Sequence, residues 1–536
     1  MMPSALTRIL ASARAGALDH AWAQFSAAGF SESDPDAAVH SLHGRLLKDR
    51  ALRAARSDRA PLFAEAAKAY ARADALAPAP YPLINVATML FLSGEQARAA
   101  EIAAEVIARI DAGGDIAETP YFLEATRAEA QLLMRDIDRA TTTLRAAIRM
   151  AADWQDHAVT LKQLNLICEA SDLPCGWLDE FRPPSSLHFA GHLGVGANDA
   201  ANVELIRRVD AVLEDLHVGF GYGALAAGSD ILIAERLLAR DAELHVMLPM
   251  TREAFRAASV EPWAANWAER FEACLEAATS VREVSDVTGR YDPVANTLAS
   301  ELSMGAAFLN ARMLESTAVQ LLVADDAGGD FGSGGETARD GVTWRGSGGT
   351  QRVIRWPRQV ETPASGTSLP ETPGRRVAAL LFVGFAGIEN IGDAATLSFV
   401  DQVVTPLDAA IAALAPAPFH IARQSSGVAL AFNTPEDAAL AALALRRAVP
   451  GDGKVSLRIS GHYGIVQQSP TGLHGQASAL PEWIDPITQP GAIFVTGDFA
   501  TALFGRVRAG FRSEFAGEHL PMRGSRPVAL YALMEG

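Results

Sequence analysis

The chain has 536 residues, 49% hydrophobic and 20% charged, a balance that excludes disorder over most of its length. One core seldom grows past roughly 250–300 residues, so about three domains are expected. A formal charge of −17 argues against sequence-independent nucleic-acid binding, which needs a basic surface to displace counterions.

Cys168, Cys175 and Cys274 are too few for a disulfide framework, and no Cys/His cluster accompanies them. Reduced thiols in a cytoplasmic setting are therefore expected, with no metal and no cofactor. The first residues lack the unbroken apolar core of a signal peptide, and the longest apolar run, Val377 to Ile388, is too short to cross a bilayer. No membrane association is expected.

To about Glu169 the chain is Ala, Leu, Arg and Glu at helical spacing. Pro78 and Pro80 end one helix, and Pro82 suits the first turn of the next. A turn is expected at Ser93 and Gly94, and another over Arg135 to Asp138. Small residues at Ala87, Ala99, Ala103, Ala130, Ala140 and Ala147 allow close helix packing. These paired helices resemble a tetratricopeptide-type array over residues 1–175, which implies a curved surface for a protein partner. A plain helical scaffold is the alternative.

Three prolines in SDLPCGWLDEFRPPS, Ser171 to Ser185, mark a boundary, and alternating strands and helices follow. The centre of this region is HVGFGYGALAAGSDILIAERLLARDAELHVMLPM, from His217 to Met250, which reads as strand, glycine-rich turn, helix and strand. Gly221, Gly223 and Gly228 would let backbone N–H groups approach a phosphate. LHVMLP reads as a central strand buried on both faces. Further strands are expected at 186–190, 281–284 and 318–326, and helices at 200–216, 263–278 and 296–314. A glycine-rich stretch from 327 leads through GSGGT into QRVIRW.

The order FAGH, GALAAGSDILIAE, ELHVMLPM, WAERFEACLEAATSV, LLVADD and GGT resembles the SLOG-type Rossmann-like domains over about residues 185–360. The resemblance implies a cleft for a nucleotide-derived ligand at the carboxyl ends of the strands. It carries over Gly191 and His192, the segment Gly223 to Asp230 including Gly228 and Ser229, and Gly348, Gly349 and Thr350. Gly348 and Gly349 would offer backbone donors to a phosphate, and Thr350 a hydroxyl at the start of a helix. Asp230 and Glu235 could take ribose hydroxyls. Hydrolytic members of that superfamily carry a glutamate three residues after the threonine of PGGxGT; here no PGG precedes the motif and Val353 stands at that position. Binding is therefore expected over hydrolysis, with an N-glycosidase using Glu235 or Asp230 as the acid as the alternative. A non-catalytic interaction scaffold is a second alternative.

A linker, VETPASGTSLPETPGRR from Val360 to Arg376, precedes VAALLFVGFAGI. The order LLFVGFAGI, SSGVALAF, LRISGHYGIV and GQASALPEWID resembles the class III nucleotide cyclase domain over residues 377–536. That family holds two metal ions on two carboxylates and supports the transition state with an asparagine and an arginine. The matching positions here are Gly384, Ser426, Ala479 and Trp483. Neither glycine nor serine replaces a carboxylate ligand, so no metal, no catalytic residue and a pseudocyclase are expected. Because cyclase domains usually pair, a homodimer through the apolar elements of Val377 to Leu414 is expected. The fold class expected is multidomain: an all-α helical repeat, an α/β Rossmann-like parallel sheet over 180–360, and an α+β cyclase-like, ferredoxin-like domain.

Overall fold

The structure is a computed structural model. It describes the chain except residues 1–4, 15–17, 32, 114–117, 152, 172, 264, 288–291, 326–335, 360–372, 389–391, 450–454, 507–509 and 521–526. Most of the expected linker therefore lies outside the described residues. The chain divides into two compact units, residues 1–183 with 313–315, and residues 184–312 with 316–536.

The first unit is helical: α1 (Ala5–Arg14), α2 (Leu18–Ala27), α3 (Ala37–Arg53), α4 (Arg59–Leu76), α5 (Pro80–Ser93), α6 (Gln96–Ala112), α7 (Pro120–Leu133), α8 (Ile137–Ile148) and α9 (Trp154–Ser171). Pro80, expected to end the preceding helix, instead opens α5, because its fixed φ suits a first helical turn. Gly94 closes α5 in the left-handed region at φ 101°, and the side chains of Thr119 and Asp136 cap α7 and α8. All six alanines named above are 0% exposed, so the small residues are indeed where helices meet closely. A polar quartet links α3, α5, α7 and α9. Lys48 Nζ donates to Gln163 Oε1 at 2.8 Å, while Thr88 Oγ1 and Gln163 Nε2 donate to Glu129 Oε1 at 2.5 and 2.9 Å. Burial pulls the Lys48 ammonium down and pushes the Glu129 carboxyl up, each partly offset by the other's charge.

The second unit holds two sheets. The first is built from β1 (Ser185–Gly191), α10 (Val203–Asp215), β2 (Val218–Gly223), α11 (Ser229–Leu238), β3 (Glu243–Leu248), α12 (Arg252–Ser259), α13 (Ala265–Ala277), β4 (Ser280–Glu283), α14 (Pro293–Met313), β5 (Ala318–Ala324), α15 (Glu336–Gly346) and β6 (Thr350–Arg355). Its six strands are all parallel, in the order β4-β3-β2-β1-β5-β6. From β1 the chain winds one way through β4 and then returns to the other side for β5 and β6. The reversal falls between β1 and β5, and ligands of open α/β sheets bind outside the strand ends at such a point.

Two expectations need correction here. The strand buried along its whole length is β5; β3 alternates, because it lies next to the short edge strand β4. The glycine-rich stretch after 327 contains a helix, α15, held by Trp344, which is 0% exposed and stacks on Phe308 with centroids 4.1 Å apart.

The second sheet comprises β7 (Arg375–Ala386), α16 (Asp393–Phe399), α17 (Thr405–Ala412), β8 (His420–Gln424), β9 (Gly427–Phe432), α18 (Pro435–Ala448), β10 (Ser456–Ser469), β11 (Gly472–His474), α19 (Gln476–Ile484), β12 (Ile493–Thr496), α20 (Gly497–Phe504), β13 (Phe511–His519) and β14 (Val528–Glu535). The strand order is β13-β14-β12-β10-β7-β9-β8, with β11 beside β10. Long antiparallel pairing of β7 with both β9 and β10 gives the βαββαβ core expected of a ferredoxin-like fold. GDFATALF is helix α20: Thr496 Oγ1 accepts from Phe499 N and caps it. Of the apolar residues between Val377 and Leu414, Leu397 and Val400 are exposed. Leu381, Val383, Phe385, Val403, Leu407 and Ile411 share one core with α18 and α20.

Candidate functional site

The carboxyl edge of the parallel sheet brings part of the expected site together. β1 ends at Gly191, and the chain turns through His192 beside the N-terminus of α11. Ser229 Oγ donates to His192 O at 2.9 Å, and a Cβ on Gly191 would run into the Ser229 side chain. Gly228 has φ +92°, and an added Cβ would sit 2.9 Å from Leu193 O, so both the conformation and the close approach require glycine. His192 Nε2 lies 2.9 Å from Trp356 O and so carries the proton; Nδ1 is then an acceptor, buried without a protein partner. Burial holds this imidazole below its ordinary pKa, in the neutral form.

Asp230, in the first turn of α11, accepts from Ala226 N at 3.3 Å through Oδ2, while Oδ1 is buried and unpartnered. Burial pushes its pKa up to about 8, against the pull of backbone N–H groups. Near neutral pH it is mainly a carboxylic acid rather than a carboxylate.

Gly221, Gly223 and Glu235 do not join this cluster. The two glycines lie within β2: the space of a Cβ is taken at Gly221 by Leu237, and at Gly223 by the Phe189 ring 2.6 Å away. They allow α11 and β1 to pack on the strand, which is a different use from approach to a phosphate. Glu235 points to α13, where Arg270 Nε donates to Oε1 at 2.7 Å and a second guanidinium nitrogen takes Oε2. Arg270 also covers the Trp267 ring at 4.3 Å. This carboxylate is a helix–helix clamp.

Gly348, Gly349 and Thr350 lie at the opposite end of the sheet. Thr350 begins β6, not a helix, and pairs with Val319 near the amino end of β5, whereas Gly191 pairs with Val323 near its carboxyl end. Parallel strands put these segments on opposite edges, so they cannot share one phosphate site. Gly349 instead makes room for Trp344, whose Nε1 donates to Thr350 O at 2.9 Å. Nearby, His188, Gln320 and Gln351 form a cross-strand row, with Gln320 Nε2 3.0 Å from His188 Nδ1 and Gln351 Nε2 donating to Gln320 Oε1 at 2.5 Å.

Positions 384, 426, 479 and 483 of the second sheet fall into two pairs. Gly384 on β7 is flanked in register by Gly427 and Arg458, and Phe385 N donates to Ser426 O at 3.4 Å, so positions 384 and 426 are neighbours. Ala479 and Trp483 stand one turn apart on α19. Over Gly384 lies Asp485, 5% exposed, whose carboxylate a Cβ at 384 would hit. Arg458 Nη2 donates to Asp485 Oδ2 at 2.7 Å. A guanidinium–carboxylate pair thus covers the backbone at Gly384. Burial raises the Asp485 pKa and Arg458 opposes that rise. Both residues sit inside the quoted motifs LRISGHYGIV and GQASALPEWID, but nothing in the linear text joins them. Among the described residues no group of three or more His, Cys, Asp or Glu is arranged to hold a metal ion, and no helix is long and apolar enough to cross a membrane.

The class defined by these features is a multidomain α/β protein with a helical-repeat unit. A family model described as Tetratricopeptide Repeats-Sensor matches residues 5–90. No curated protein sequence matches the chain. Similar solved structures include the adenylyl cyclase CyaB from P. aeruginosa, 13% identical, covering 30% of this chain and 95% of that one with a TM-score of 0.26. An adenylate/guanylate cyclase/hydrolase from Silicibacter pomeroyi is 22% identical over 30% of this chain and 96% of its own, with a TM-score of 0.25. The guanylate cyclase domain of RhGC from Catenaria anguillulae, in complex with GTP, is 10% identical over 30% and 96%, with a TM-score of 0.25.

Proposed function

We propose that this chain is a cytoplasmic signalling or regulatory protein. Its SLOG-like domain binds a nucleotide-derived ligand, its helical unit engages a protein partner, and its cyclase-like domain makes no cyclic nucleotide. The observation that carries the reading is the meeting of the N-terminus of α11 with the exit of β1, a strand that borders the topological reversal of the parallel sheet, where open α/β sheets take their ligands. His192 Nδ1 and Asp230 Oδ1, both lacking protein partners there, favour a ligand with hydrogen-bonding edges. The silence of the cyclase-like domain is supported by Gly384 and Ser426 in place of carboxylates, and by the Arg458–Asp485 pair that covers Gly384.

The test uses the full-length protein. Thermal shift and calorimetric titration are run across mono-, di- and cyclic nucleotides and NAD derivatives, with a cyclase assay on ATP and GTP in magnesium and manganese. Binding without cyclisation is expected. No affinity for any of these compounds would sink the ligand assignment, and formation of a cyclic nucleotide would sink the pseudocyclase.

One observation favours the N-glycosidase as a second reading. Asp230 keeps its proton to about pH 8, as a general acid working near neutrality must, whereas Glu235 is engaged by Arg270. Free base released from a nucleoside monophosphate, and lost on Asp230→Asn but not on Glu235→Gln, would select this reading over binding alone.

A further inference from the structure

Helix α14 belongs to the parallel sheet by connection, as the crossover from β4 to β5, yet the second sheet holds it along its whole length. At its start, Asp292 caps it through Val294 N at 3.0 Å, and Arg375 on β7 donates to the other carboxylate oxygen at 2.5 Å. One turn on, Leu298 and Leu302, and further along Leu309, enter the same apolar core as β7, β9, β10, α18 and α20. Glu301 accepts from Tyr463 OH at 2.6 Å through one oxygen and from Arg506 through the other. At the middle, Gly305 crosses α20 so closely that a Cβ would run into Thr501 O, and a Cβ on Gly505 would stand 3.0 Å from Gly305 Cα. At its end, Arg312 lies over the Phe504 ring at 4.6 Å and donates to Phe511 O at 2.9 Å.

Two further contacts join the sheets outside the helix. Arg282 of β4 grips Asp498 with both terminal nitrogens, one of them at 2.6 Å from Oδ2, and Ser347 Oγ donates to Gly505 O at 2.5 Å.

We propose that α14 is a coupling element that makes the Rossmann-like and cyclase-like sheets one cooperative unit, so that neither opens without the other. The argument is one of shared parts. A helix whose leucines fill one sheet's core while its two ends are tied to strands of the other cannot leave either without exposing apolar surface and stranding Glu301. The crossing at Gly305 adds directionality. Two backbones in contact leave no side chains between them to absorb a shift, so displacement of α14 is passed to α20. Because α14 leads directly into β5, which borders the topological reversal, a change at the carboxyl edge of the parallel sheet has a continuous route to the cyclase-like domain.

Hydrogen-exchange mass spectrometry on the full-length protein in low denaturant tests this without any ligand. In the unmodified protein, peptides from β1 and β5 and peptides from β7 and β10 are expected to lose protection in one correlated event. Glu301→Gln and Gly305→Leu are expected to split that event, with β7 and β10 exchanging at least about tenfold faster while β1 and β5 keep their protection. Glu301→Gln preserves shape and remains informative should Gly305→Leu fail to fold. Independent opening of the two sheets in the unmodified chain, or unbroken correlation in Glu301→Gln, would overturn the proposal.

Discussion

Asp230→Asn is expected to stabilise the protein near neutral pH while leaving it unchanged in acid. The native carboxyl keeps its proton to about pH 8 because burial disfavours the charge. In the unfolded chain an aspartate ionises near pH 3.9. Between these values the unfolded state has released a proton that the native state retains, so stability falls as pH rises, by about 1.4 kcal/mol per unit. At pH 7 roughly three units of that penalty have accrued, about 4 kcal/mol. Asparagine cannot ionise and keeps an oxygen to accept from Ala226 N, so the penalty disappears. The assay is pulse-labelling exchange of the α11 peptide after equilibration in urea at several values between pH 4 and pH 8. The wild type should lose stability steadily over that window and the variant should stay level, the two coinciding near pH 4. Parallel slopes for the two proteins, or a variant weaker than wild type at pH 7, would refute the assignment of a buried neutral acid.

Gly384→Asp places a carboxylate at the position that the proposed cyclase resemblance matches to a metal ligand, yet its side chain must displace Asp485. A loss of about 1–3 kcal/mol in chemical denaturation is expected, with no cyclic nucleotide formed from ATP or GTP. Glu235→Gln should lower stability by about 1 kcal/mol through the weakened clamp to Arg270 and leave nucleotide affinity unchanged in calorimetry. Gly349→Ala drives a methyl into the Trp344 indole and endangers its bond to Thr350 O. A loss of about 2 kcal/mol and a shifted tryptophan emission are expected, again without effect on binding at the carboxyl edge.

The elements that were legible in the sequence are those whose signals are local. In the first unit the turn at Gly94 and the break over Arg135 to Asp138 were readable, because a left-handed residue and a side-chain cap act within a few residues, whereas Pro80 opens α5 instead of ending the helix before it. The strand, turn, helix and strand between His217 and Met250 were likewise readable from glycine placement and apolar period. Helix α20 was not, since ATALF serves a strand as well as a helix and only the Thr496 cap and packing on β10 and β14 decide between them.

What the linear text could not decide is which glycines meet. Gly191 and Gly228 come together because β1 and β2 are neighbours and both end at the same edge, whereas Gly349 is carried to the other edge by the direction of β6. A missing Cβ also has no meaning until its neighbour is known: at Gly221, Gly349 and Gly384 it makes room for Leu237, Trp344 and Asp485. The sequence by itself determined residue chemistry and local conformation, including the absence of carboxylates at positions 384 and 426. Only the tertiary structure decided that Arg458 and Asp485 cover that position, that Glu235 is bound to Arg270, and that α14 serves two sheets, because each depends on contacts between segments far apart along the chain.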